Sequence, residues 1–100
     1  MTEQVIRFYE TGGPEVLKVE SQALAAPGPG EVRVGHRAVG LNFIDTYHRS
    51  GLYPVPLPSG LGLEASGVVE AVGEGVTRIA VGDRVAFGSG ALGAYASASL

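Results

Sequence analysis

Glycine and proline interrupt this chain so often that hydrophobic periodicity never runs far. Gly occurs 16 times and Pro 6 times, and between the breaks the pattern is mostly the two-residue alternation of strands. Val5-Ile6-Arg7-Phe8-Tyr9 reads as a strand, with Ile6 and Phe8 on one face and Val5, Arg7 and Tyr9 on the other. Gly12-Gly13-Pro14 ends it. Val16 to Glu20 reads as a second strand, with Leu17 and Val19 on a shared apolar face. After the turn at Pro27-Gly28-Pro29-Gly30 comes a half-buried strand over Glu31 to Val39. Ser66 to Val72 and the end of Val81 to Phe87 are further strands, and Gly93 to Ala98 is a weaker one. Roughly six or seven short strands in about 100 residues point to one mainly β domain, a small barrel or sandwich.

One segment has helical rather than strand spacing. In Asn42 to Ser50, Phe43 and Tyr47 are four apart, as are Ile44 and His48. Asn42 suits an N-cap, and Gly51 suits a left-handed stop. Leu52 to Gly62 follows, with Pro54, Pro56 and Pro58 at alternate positions. That excludes a sheet interior and favours an extended loop.

Composition excludes several chemistries. There is no cysteine, hence no disulfide framework, thiolate zinc site, iron–sulfur cluster or thiol nucleophile. The formal charge is −3, which leaves no basic surplus for nucleic acid. No apolar run reaches membrane length, and Met1 to Tyr9 lacks a signal-peptide pattern. A cytoplasmic enzyme or binding domain is the expectation.

The candidate chemistry gathers around the helix. Its N-terminus presents backbone N–H groups, Asn42 adds a donor and an acceptor, and Tyr47 adds a hydroxyl one turn on. The competing reading is an ordinary capped helix with Phe43, Ile44 and Tyr47 in the core. Asp45 is either a general base or a capping carboxylate of the first turn. Tyr53 either offers a flat face and a hydroxyl to a ligand or fastens the loop. Glu64, in an apolar glycine-rich frame, calls for an ion pair or backbone hydrogen bonds. His36 and His48 read as solvent-facing and, with no matching ligand spacing, not as metal ligands. Gly73-x-Gly75 and Gly88-x-Gly90-x-x-Gly93 lack a following helix and are not dinucleotide loops.

Taken together, GLNFIDTYHRSGLYP at 40–54, LPSGLGLEASGVVEAVGEGV at 57–76 and VGDRVAF at 81–87 resemble the zinc-free, zeta-crystallin-like quinone oxidoreductases of the medium-chain dehydrogenase/reductase superfamily. GGPEVL at 12–17 and ALGAYAS at 91–97 fit the same register. The resemblance implies that residues 1–100 form a GroES-like β-barrel with a short helix after the third main strand, and that a Rossmann cofactor domain follows. It implies NADPH as cofactor, a quinone as substrate and a homodimer. It assigns catalytic positions to Asn42, Tyr47 and Tyr53, and cofactor contacts to Asn42, Phe43, Ile44, Asp45, Thr46 and Tyr47. Asn42 and Leu63 stand where zinc-dependent relatives carry Cys and His, so no metal is expected. Without the Rossmann domain these 100 residues are expected to be inactive. An enoyl or alkenal reductase of the same superfamily and a co-chaperonin-like barrel are the alternatives.

Overall fold

The computed structural model describes residues 2–89 and 91–100. Two antiparallel sheets make up the architecture. The first has the order β2-β1-β4, from Lys18–Ala23, Thr2–Phe8 and Ser59–Gly60. The second has the order β6-β5-β3-β7, from Arg84–Phe87, Ala65–Val72, Val32–Val39 and Ala98–Ser99. Among the described residues one α-helix, α1, covers Phe43–Ser50.

The stretch just before β7 seams the sheets together. Ile6 N–H donates to the Tyr95 carbonyl (2.9 Å), Ser97 N–H to the Gln4 carbonyl (2.8 Å) and His36 N–H to the Ser97 carbonyl (2.8 Å). Arg33 adds a side-chain tie, bonding Glu3 of β1 at 2.7 Å and Glu70 of β5 at 3.0 Å. The expected β class holds, but among the described residues β2 and β6 remain open edges, so the sheets do not close into a barrel.

Alternation decides the interior. Phe8 is fully buried and packs with Val16 and Leu61, with Leu17, Val55 and Tyr95 around them. Val34, Ala65, Val69, Ala94 and Ala98 are buried as well.

Several expectations are corrected. Pro14–Val16 is a 3₁₀ turn, not the start of a strand. Pro14 presets the helical φ, and the N–H groups of Val16 and Leu17 turn back to the carbonyls of Gly13 and Pro14. The strand therefore starts at Lys18. Val16 fills the core, while Val19 is 70% exposed, so Leu17 and Val19 do not form a buried face. The Gly93–Ala98 strand shrinks to a bridge at Ala96 and the two residues of β7, because its backbone is shared between two sheets. Ser59 and Gly60, inside the proline loop, pair with Phe8 and Arg7, which is possible once the prolines have ended. Of Gly88-x-Gly90-x-x-Gly93, Gly90 lies outside the described residues.

His36 is not solvent-facing. Its Nδ1 lies 2.8 Å from the Ala96 carbonyl, which can only accept, so Nδ1 carries the proton. Its Nε2 lies 2.8 Å from Ser99 Oγ. The ring thus belongs to the seam. His48 is also partly covered, with Nδ1 buried and unpartnered among the described residues. Its ring lies 6.4 Å from that of Tyr53.

Candidate active site

The site is built where β3 leaves its sheet. Beyond Val39, Gly40 N–H donates to the Glu64 carbonyl at 3.1 Å, and the Glu64 side chain crosses Gly40 so closely that a Cβ there would collide with it. The Glu64 carboxylate makes no ion pair among the described residues. It walls a cleft of about 470 Å³ between the ends of β3, β5 and β6.

Asn42 is extended (φ −121°, ψ 153°) and caps α1. Asp45, three residues on, reaches back so that its Oδ2 accepts the Asn42 backbone N–H at 3.0 Å. This is the capping-box relation, here with a carboxylate that also favours the positive end of the helix. At the far end Gly51 is left-handed (φ 89°), and its N–H returns to the carbonyls of Tyr47 and His48. A side chain at Gly51 would be strained there. Arg49 fastens the last turn to the β1–β2 connection: its Nε donates to the Gly12 carbonyl at 3.1 Å, and Gly12 N–H donates back to its carbonyl at 3.0 Å.

The αL stop folds the chain back over the helix. Tyr53 N–H donates to the Tyr47 carbonyl at 3.2 Å. The Tyr53 and Tyr47 rings then meet edge to face at 5.1 Å, and the Tyr47 and Phe43 rings at 5.4 Å. Phe43, Tyr47 and Tyr53 therefore form one aromatic row. Phe43 is 76% exposed and Tyr53 50%, with Leu41 and Leu52 even more open or nearly so at 84% and 64%. The reading that put Phe43 in the core is overturned. A solvent-facing apolar cluster at one helix, beside a well-filled interior, marks a contact surface.

The remaining candidates sit as follows. Ile44 is half-buried. Thr46 Oγ1 donates to the Phe43 carbonyl at 2.6 Å. Asp45 is buried, with 2% of its surface exposed, and faces away from the aromatic row. Its Oδ2 also accepts the Tyr95 hydroxyl at 2.6 Å. Sequence reading placed Tyr95 only in a weak strand. No local pattern could have linked it to a residue fifty positions earlier. Burial, the hydrogen bond to Asp45 and the carboxylate charge push the Tyr95 phenol well above its usual value. Among the described residues, no group of three or more His, Cys, Asp or Glu side chains is arranged to hold a metal ion, and no helix is long and apolar enough to cross a membrane.

Residues 28–98 match the alcohol dehydrogenase GroES-like domain family. The chain is 66% identical over 91 residues to a quinone oxidoreductase of Pseudomonas aeruginosa, covering 90% of this chain and 28% of that one. It is 45% identical over 98 residues to a 2-haloacrylate reductase of a Burkholderia species, covering 93% and 29%. The Escherichia coli quinone oxidoreductase, solved in complex with NADPH, superposes with a TM-score of 0.94 at 54% identity, over 96% of this chain and 30% of that one. The chain thus spans under a third of the length of these relatives. With the family match covering most of its residues, the two-sheet architecture and the capped helix at its edge, the chain belongs to the alcohol dehydrogenase GroES-like domain family.

Proposed function

We propose that this domain forms the substrate-side wall of an NADPH-dependent quinone oxidoreductase that works without a metal. The observation that carries the reading is the row Phe43–Tyr47–Tyr53, exposed at Phe43 and Tyr53 and half-buried at Tyr47, beside the capped Asn42, in a chain 66% identical to a quinone oxidoreductase. A quinone is a flat, uncharged ring with carbonyl acceptors at its edge. Aromatic faces and edges suit the ring, and the Asn42 amide and the Tyr47 and Tyr53 hydroxyls supply donors for the carbonyls.

The donor set also fits one end of a dinucleotide. Around Asn42 and Phe43 the surface is aromatic, with one carboxamide and the Thr46 hydroxyl, which suits a nicotinamide ring. It does not suit a pyrophosphate: Arg49 Nε is turned to Gly12, and Asp45 places negative charge just inside the helix start. The phosphate donors belong to another part of the protein. Bound NADPH supplies the reducing equivalents. Asn42, Phe43, Ile44 and Thr46 hold the two rings in register and exclude water, a proximity effect. Asp45 acts from within, fixing the backbone of Asn42. Asn42 and Leu63 offer no thiolate or imidazole for zinc, and an electron-poor quinone needs no Lewis acid.

The 2-haloacrylate reductase likeness supports a second reading, in which the acceptor is an activated carbon–carbon double bond. We place the protein in the cytoplasm as a homodimer, following the absence of cysteine and the resemblance of the chain. The test is NADPH oxidation by the longer enzyme carrying this domain, with benzoquinones and α,β-unsaturated carbonyls as acceptors in parallel. Quinones turning over at higher kcat/KM support the first reading; selective turnover of the unsaturated carbonyls overturns it in favour of the second.

A further inference from the structure

Asp45 presents a problem that its own helix does not solve. A carboxylate with 2% exposure needs donors, because burial without them costs several kcal/mol on the order of a lost charged hydrogen bond or more. One donor, the Asn42 N–H, comes from the same turn. The other is the Tyr95 hydroxyl, from the seam between the sheets, and its 2.6 Å distance is that of a charge-assisted bond.

Tyr95 is anchored through both its backbone and its ring. Its N–H donates to the Leu61 carbonyl and its carbonyl accepts from Ile6, both at 2.9 Å. Its ring packs against the Phe8, Val16 and Leu61 cluster. Gly62 makes room for it: Gly62 is left-handed (φ 96°), and a Cβ there would stand 2.5 Å from Tyr95 Cδ1. The path from the rigid interior to the ligand face is therefore short and continuous, from the Tyr95 hydroxyl to Asp45 Oδ2 to the Asn42 backbone.

We infer that Tyr95 is a positioning residue of the proposed reductase, setting the orientation of Asn42 toward bound ligand through the Asp45 carboxylate. The inference rests on the proposed function, since it needs Asn42 to touch ligand. Tyr95 itself touches none, and its effect passes through Asn42.

The experiment is a double-mutant cycle in the longer enzyme with Tyr95→Phe and Asn42→Ala, reading kcat and KM with benzoquinone. Tyr95→Phe keeps the ring, and Asn42→Ala keeps the backbone N–H that Asp45 accepts, so each removes one element of the path. The expected result is that Tyr95→Phe lowers kcat about tenfold, with the KM for NADPH within about twofold of wild type, and that it lowers kcat no further in the Asn42→Ala background. Independent, multiplicative losses overturn the inference, because the hydroxyl then acts by another route. A lowered melting temperature with wild-type kcat also overturns it, because the bond is then purely structural. Wild-type turnover by Asn42→Ala alone removes the role of Asn42 and takes the proposed site down with it. The two failures are thus distinct.

Discussion

Removing the Tyr53 hydroxyl separates a ligand contact from a packing contact. Among the described residues that hydroxyl has no hydrogen-bond partner, while the ring leans on Tyr47 at 5.1 Å with its plane tilted 64°. The residue is half exposed. Tyr53→Phe keeps the ring and its edge-to-face contact, so stability should move by no more than about 0.5 kcal/mol. Tyr53→Ala deletes the contact, worth about 0.5–1.5 kcal/mol, and roughly half of a burial term of about 2 kcal/mol. It should therefore cost about 1.5–2.5 kcal/mol by that reckoning. If the hydroxyl donates to the acceptor, its loss should lower kcat/KM about five- to tenfold, the equivalent of one net hydrogen bond of about 1 kcal/mol or slightly more. The assay is quinone reduction by the longer enzyme, with thermal melting run in parallel. A wild-type kcat/KM for Tyr53→Phe would show that only the ring matters. Equal thermal losses for Phe and Ala would refute the packing assignment.

Three further outcomes follow from the same geometry. A Cβ at Gly67 would collide with the Gly35 carbonyl and stand 3.0 Å from His36 Cα, so Gly67→Ala should destabilise the β3–β5 ladder by about 3 kcal/mol; amide hydrogen exchange across that ladder should speed up, and unchanged protection would show that the ladder accommodates the methyl group and refute the clash. Chelator treatment should leave quinone reduction unchanged, and loss of activity restored by zinc would refute the metal-free site. The Tyr95 phenol is raised above its ordinary 10.0, so the unfolded chain releases that proton first. The stabilisation is complete below pH 10 and declines as pH rises toward the folded value. The stability gap between wild type and Tyr95→Phe should shrink from pH 9 to pH 11, and a constant gap would refute the linkage.

How much the sequence discloses depends on whether a partner is local. Asn42 and Gly51 bracket α1 because capping and an αL stop are settled within one turn. Glu31 to Val39 and Ser66 to Val72 are legible as strands because alternation is local too. The 3₁₀ turn at Pro14–Val16 is not legible because three residues of alternation look alike in a turn and a strand. Tyr95, Ala96 and Ser97 look like a weak strand because their partners, Ile6, Val5, Gln4 and His36, lie far away in the chain. His36 looks exposed for the same reason. The Tyr95–Asp45 bond is the extreme case, invisible to any window and central to the candidate site.

The helix itself shows why the aromatic row reads as a contact surface and not as an accident of packing. A surface helix ordinarily turns its apolar stripe inward and its charges outward. α1 does the reverse at its start. Asp45 is its single buried residue, while Phe43, two residues earlier, is 76% exposed. Inverting that polarity costs twice, since a carboxylate is desolvated and an aromatic ring is left in water. The two donors on Asp45 Oδ2 offset part of the first cost, while Oδ1 is buried without a partner among the described residues. Among the described residues, the edge contact of Phe43 with Tyr47 offsets little of the second, since Phe43 stays 76% exposed. Residues 43, 47 and 53 nonetheless reach their places through three local devices: the cap at Asn42, the αL stop at Gly51 and the return bond from Tyr53 to the Tyr47 carbonyl. A chain that spends its capping and turn chemistry on holding rings outward gains from them only when something flat and apolar lies against them. That is the physical case for the proposed placement of a quinone and a nicotinamide at this helix.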